Sequence, residues 1–112
     1  MNAMRNRVQL IGRLGQNPET KEFDKGRKLV RMSIATNEEY MNNGEKVKQT
    51  TWHNLVAWGK LAEICEKYLK KGNEIAAEGK LIYRQWEDKE GAKHNTTEIH
   101  ISDMLMLNGK EK

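Results

Sequence analysis

The stretch TTWHNLVAWGKLAEICEKYLKKG, residues 50–72, decides the fold. Its first half alternates as a strand does, with Trp52, Asn54, Val56 and Trp58 on one face and His53, Leu55 and Ala57 on the other, because successive side chains of a strand point to opposite sides. After Gly59 the period lengthens. Leu61, Ile64, Cys65, Tyr68 and Leu69 recur at helical spacing and predict an apolar stripe. Lys70 and Lys71 suit the negative C-terminal end of that helix, and Gly72 suits its C-cap. One face of the strand has to join the core that the helix helps to close. The face with two tryptophans is then the one left to explain.

Upstream, residues 5–14 predict a strand in which Val8, Leu10 and Leu14 keep one parity. Ile11 beside Gly12 breaks the alternation and predicts a bulge or sharp bend, which would let one strand serve two parts of a closed sheet. Gly15, Asn17 and Pro18 form a turn, residues 20–23 a short extended piece, and Asp24-Lys25-Gly26 a second turn. A second strand is expected over residues 28–37 with Val30, Met32 and Ile34 inward. Asn42-Asn43-Gly44 marks a hairpin tip, since Asn and Gly accept the positive φ that such turns need.

Downstream, Ile75, Ala77, Gly79, Leu81 and Tyr83 share one parity of a fourth strand, with Lys80, Ile82, Arg84 and Trp86 on the other. Residues 87–94 read as a polar hairpin loop, and Thr97, Ile99 and Ile101 as a fifth strand. The chain is therefore all-β with one helix, in the order three strands, helix, two strands. That is the order of the OB-fold, a five-stranded Greek-key barrel with its helix between strands 3 and 4, whose sheet face and loops bind oligonucleotides. A split β-sandwich or another small barrel with an inserted helix is the weaker alternative. One domain is expected over residues 1–108, with 109–112 a short frayed C-terminus.

Composition narrows the function. The 112 residues suit one modest core. Twenty Lys and Arg against sixteen Asp and Glu give +4 and a pI near 9.2, which favours an anionic partner. Residues 1–37 hold eight basic and three acidic side chains, a net +5, so the excess lies in the first third. Paired tryptophans on a small basic protein suggest a surface for bases. No apolar run approaches the roughly 20 residues of a membrane span, and no signal-peptide core is present, so a cytoplasmic protein is expected. Cys65 is alone and reads as a small buried residue of the helical stripe. His53, His94 and His100 lack ligand spacing, so neither a metal nor a cofactor is expected. Glu38-Glu39 and Glu87-Asp88-Lys89-Glu90 read as solvated loop charges, and no catalytic constellation is found.

Four runs, VQLIGRLGQNPE, IATNEEY, TTWHNLVAWGKLAEICEKYLKKG and EGKLIYRQW, in this order over about residues 5–107, resemble the bacterial single-stranded DNA-binding proteins. The resemblance implies an OB-fold that assembles as a homotetramer, with a dimer also open, and wraps single-stranded DNA without catalysis. Its base-stacking positions fall on Tyr40, Trp52, Trp58 and Trp86. Tyr40 stands where many members have tryptophan and Trp58 where many have phenylalanine. For Trp58 a core place at the strand-to-helix junction stays open as well. Its subunit interface falls on Gln9, Arg13 and His53, although a buried intradomain histidine with one hydrogen bond remains open for His53.

Physically, every base has a π-face, so aromatic platforms bind single strands with little sequence preference, at about 1–3 kcal/mol per stacked base. Phosphate contacts add salt-dependent affinity. Arg5, Arg7, Lys60, Lys70, Lys71, Lys80 and Arg84 are the phosphate candidates, since they flank the aromatic strands or end the helix. Asn54 stands where the family often has arginine, a departure from the family's pattern at one such contact. The expected function is sequence-tolerant binding and protection of single-stranded DNA during replication, recombination and repair. Family members usually continue into a flexible segment with an acidic tip. No such segment follows before Lys112, so this form, whether a trimmed domain or a naturally short paralogue, is expected to lack the acidic C-terminal tail, and tail-mediated recruitment of repair enzymes is not expected. The alternative is a tail-less OB-fold primosomal adaptor acting mainly through protein–protein contacts. The full set of four aromatic positions favours the DNA binder.

Overall fold

The computed structural model describes residues 4–107; the expectation of a frayed end over 109–112 lies outside them. The elements are β1 (Val8–Leu14), β2 (Glu19–Glu22), a 3-10 turn at Asp24–Gly26, β3 (Lys28–Asn42), β4 (Glu45–Trp58), α1 (Gly59–Tyr68), β5 (Glu74–Glu87) and β6 (Lys93–Met106). The sheet order is β1-β5-β6-β4-β3-β2, and β1 pairs again with β3 at Arg13↔Ala35 and Leu14↔Ile34. That second pairing closes a five-stranded barrel, while β2 is a short strand laid on β3. All ladders are antiparallel except β4–β6, which meets in parallel at Leu55↔Ile99 and Val56↔His100. The expected OB barrel is therefore present, with α1 between the third and fourth strands of the ring.

The core is filled by the inward parity of each strand: Leu14, Val30, Met32, Ile34, Leu55, Ala57, Ile75, Ala77, Ile99 and Ile101, joined by Ala62, Cys65 and Leu69 from the helix and its C-cap. The helical stripe differs from its expected composition. Ala62 is buried, whereas Ile64 and Tyr68 are exposed, because α1 rests on β3 and β4 along one edge only. Gly72 does not cap the helix. Leu69 is the C-cap, and Gly72, at φ 92°, lies in the following turn, where its N–H donates to the Leu14 carbonyl at 2.9 Å.

β1 serves two parts of the sheet as expected, but without a bulge. It runs in continuous register along β5, and Gly12 marks where it turns to β3: a Cβ there would overlap the Ala35 carbonyl. The register slip lies instead between β5 and β6, where Glu78 faces Asp103 and Gly79 faces Ile101. A Cβ on Gly79 would overlap the His100 carbonyl, so only glycine lets the two strands approach there.

Two hairpins project beyond the barrel. β3 and β4 pair as far as Asn42↔Glu45 around a tip in which Asn43 (φ 53°) and Gly44 (φ 80°) take left-handed conformations. Glu38 and Glu39 therefore sit in a strand, not a loop. β5 and β6 pair as far as Glu87↔Lys93. In that arm Leu81 and Tyr83 keep the core parity yet are exposed, because no opposite wall faces them.

Candidate nucleic-acid interface

Direct pairing across the β3–β4 ladder fixes which side chains share the outer face. Trp52 lies opposite Ala35, Asn54 opposite Ser33, Val56 opposite Arg31, and Trp58 opposite Leu29. Trp52 is 59% exposed and Trp58 40%, so Trp58 does not belong to the core. Across β6, the outer parity of β5 carries Lys80, Ile82, Arg84 and Trp86. Trp86 is 42% exposed, and its indole Nε1 donates to Thr96 Oγ1 at 3.0 Å. Three of the expected stacking residues thus stand on the outer surface of contiguous strands. Tyr40 differs. It is 48% exposed but registers opposite Val47, on the parity of Thr51 and His53, so it belongs to the other side of the β3–β4 arm.

Each tryptophan ring is held by a neighbour. Trp52 lies against Gly15, where a Cβ would come within 2.5 Å of Cζ3 and 2.7 Å of Cη2. Trp58 stacks on Phe23, with ring centroids 6.1 Å apart and planes at 23°, and the Arg27 guanidinium lies 5.7 Å from its ring centre. Trp86 stacks on His94 at 4.5 Å and 21°. His94 Nε2 is in turn 2.8 Å from Asp88 Oδ2. That hydrogen bond, with those from the Ala92 and Glu90 N–H groups, holds the Asp88 carboxyl below its ordinary range. Each ring is therefore steadied by a neighbour while Trp52, Trp58 and Trp86 all remain exposed, an arrangement that suits stacking on a flat partner.

Between the platforms lies a buried acid. Glu98 is 3% exposed and accepts from Arg31 Nη1 at 2.7 Å and Arg84 Nη2 at 3.3 Å, with His100 Nε2 3.1 Å from its other oxygen. Arg31, whose direct partner on β4 is the buried Val56, reaches Glu98 from β3 across β4. Burial alone would raise the carboxyl's pKa. The Arg31 and His100 hydrogen bonds and the charges of Arg31 and Arg84 outweigh it and hold Glu98 ionised below its ordinary range. One carboxylate for two guanidiniums leaves the cluster net positive, with N–H donors to spare, since each guanidinium has five.

The remaining sequence candidates fall into three places. Lys80 and Arg84 share the face of Trp86, and Lys60 follows Trp58 at the start of α1. The turn with Lys70 and Lys71 is tied to Asn17 Oδ1 by the Lys71 N–H at 2.8 Å, near the Gly15 on which Trp52 rests. Arg5 and Arg7 precede β1, and Arg7 is ion-paired to Glu78 of β5. The expected interface residues also separate. Gln9 lines an open hollow of about 470 Å³ with Ile11, Ala76, Glu78, Asp103 and Leu105. Arg13 Nη1 donates to the Gly72 carbonyl at 3.0 Å, and His53 Nε2 lies 3.0 Å from Thr36 Oγ1. Among the described residues no group of three or more His, Cys, Asp or Glu side chains converges as a metal site would require.

Phe23, Arg27, Arg31, His94 and Glu98 were not singled out from the sequence as site residues. Phe23 carried a signal, being a lone aromatic inside the charged run KEFDKGRK. Arg31 and Glu98 carried none, because 67 positions separate them.

The single-strand binding protein family model matches residues 5–107. Among individual proteins, single-stranded DNA-binding protein 1 of Chlorobaculum tepidum is 46% identical over 108 residues, covering 95% of this chain and 67% of that protein. Single-stranded DNA-binding protein 1 of Xylella fastidiosa is 44% identical over the same length, covering 95% and 79%. Among solved structures, the Plasmodium falciparum SSB complex with ssDNA superposes with a TM-score of 0.87 at 33% identity, covering 96% of this chain and all of that one.

Proposed function

The chain belongs to the single-strand binding protein family, and from that premise we propose that it binds single-stranded DNA along the outer face of β3, β4, β6 and β5 through base stacking and phosphate contacts. The observation that carries this reading is the exposure of Trp52, Trp58 and Trp86 on contiguous strands around the cationic Glu98 cluster. Bases of a single strand are free to lie on these rings, whereas a duplex hides the same faces, so stacking supplies the discrimination. Arg31 and Arg84 are held in place before the strand arrives, which lowers the cost of ordering them on binding. Lys60, Lys70, Lys71 and Lys80 flank the face and add contacts to phosphate. Tyr40 serves the strand from the other side of the β3–β4 arm.

The family is a non-catalytic, DNA-binding one with roles in replication, recombination and repair, and this protein acts by the same occupancy of exposed strands. No helix among the described residues is long and apolar enough to cross a membrane; the cytoplasm is its proposed location. The adaptor reading is not favoured, since the aromatic face is retained. Assembly as a homotetramer, with a dimer as the smaller unit, is supported by the exposed Ile11 and Leu105 around the hollow and by the unpaired edge of β1 before Gly12. That edge offers the backbone groups that Gln9 would bring to a second copy, whereas Arg13, paired with both Ala35 and Glu74, could take part only through its side chain.

The test is a titration of intrinsic tryptophan fluorescence with oligo-dT at two salt concentrations, with duplex DNA as control. Strong quenching by the single strand that survives moderate salt is expected. An equal response to duplex, or quenching that vanishes with salt, would leave charge attraction as the only interaction.

A further inference from the structure

The loop between β2 and β3 is a built feature of the outer face. Its feet are joined by the Phe23 N–H, which donates to the Arg27 carbonyl at 2.7 Å. The intervening turn is tight, with Lys25 at φ 70° and Gly26 at φ 75°. Both feet consequently meet the same ring: Phe23 stacks on Trp58, and the Arg27 guanidinium lies over it. Phe23 nevertheless stays 44% exposed, while Leu29, paired directly with Trp58 on that face, is 3% exposed. Covering Trp58 therefore accounts for only part of the Phe23 ring. The rest faces solvent beside an aromatic that already belongs to the proposed track. The loop also carries positive charge: Lys21, Lys25, Arg27 and Lys28 against Glu22 and Asp24, with Lys28 paired to Glu22 and Glu66.

We propose that Phe23 and Arg27 form a further nucleotide site at the end of the single-strand track. Phe23 presents its open face to one base beyond the base on Trp58, and Arg27 takes a phosphate next to that base. Continuity with the tryptophan face and the cationic loop commit the occupant to a nucleotide of the bound strand. The inference rests on the single-strand reading and assigns a role to two residues outside the four aromatic positions.

The discriminating variant is Phe23→Leu, which keeps apolar cover over Trp58 and removes the π-face, with Phe23→Tyr as the variant that keeps it. Affinities for dye-labelled oligo-dT are measured by anisotropy beside the unaltered protein, with thermal melting as a check on folding. Phe23→Leu is expected to bind about fivefold more weakly or worse, and Phe23→Tyr within about twofold of the unaltered protein. Arg27→Gln is expected to reduce the log-log salt slope by about 0.7. Unaltered affinity in Phe23→Leu, with melting also unaltered, overturns this inference alone. Failure of the unaltered protein to bind oligo-dT overturns the single-strand reading and this site with it.

Discussion

Replacing Gly15 by alanine should weaken DNA binding without weakening the fold. Gly15 is not in the left-handed region, so alanine meets no backbone penalty there, and removing a glycine from the unfolded chain favours the native state by about 0.4–1 kcal/mol. The new Cβ, however, would stand 2.5 Å from Trp52 Cζ3, where ordinary contact begins at 3.4 Å. The exposed indole has to retreat by about 0.9 Å, and being the far end of a solvent-facing side chain it can do so without disturbing the core. Trp52→Ala removes the whole platform and should cost about 1–3 kcal/mol of binding, a factor of about 5 to 150 in Kd. Gly15→Ala should cost a fraction of that, about 0.5–1.5 kcal/mol, because the ring is displaced rather than deleted. The decisive measurement is a double-mutant cycle by anisotropy with labelled oligo-dT at fixed salt. In the Trp52→Ala background, Gly15→Ala should have no further effect, since its only route to the DNA is gone. Additive losses would refute the reasoning, as would a Gly15→Ala protein that binds as tightly as the original.

Other perturbations test other parts. Glu98→Gln should lower stability near neutral pH by about 1–2 kcal/mol, because two guanidiniums lose their charged partner. Since the Glu98 carboxyl is held below its ordinary range, its contribution is present above the unfolded-state pKa of about 4.3 and disappears as pH falls through the lower folded value. Urea melts should therefore show the variant's deficit shrinking in acid, and a deficit independent of pH would contradict the assignment. Burial pushes the Cys65 thiol up to about 11, so a thiol-specific reagent at pH 7.5 should modify it only after denaturant is added; immediate reaction in the native protein would place Cys65 at the surface. Ile11→Glu, on the apolar hollow, should shift sedimentation toward smaller species with melting of the barrel retained, and an unchanged sedimentation profile would remove that surface from the assembly.

Much of this protein is fixed by signals that lie close together in the chain. The alternation from Trp52 to Ala57, the change of period at Gly59 and the Asn-Gly tip are local, and each comes from backbone geometry that acts over a few residues. They determined the strand–helix order, the inward parity of Val30, Met32, Ile34, Leu55 and Ile75, and the residue types able to stack on bases. Parity says which side of a strand a residue occupies, but not what lies over that side. Closure of the barrel decided that: Leu81 and Tyr83 are exposed on the core parity because the arm has no opposite wall, and Ile64 yields its buried place to Ala62 because α1 touches the barrel along one edge. Tyr40 falls on the side opposite Trp52 through the register of the β3–β4 arm, which flanking motifs do not encode. The pairing of Arg31 with Glu98 across β4, the seat of Trp52 on Gly15 and the stack of Phe23 on Trp58 likewise exist only once distant strands are in register. Such contacts depend on which chain segments closure brings together, a long-range property that no periodicity within one segment can carry.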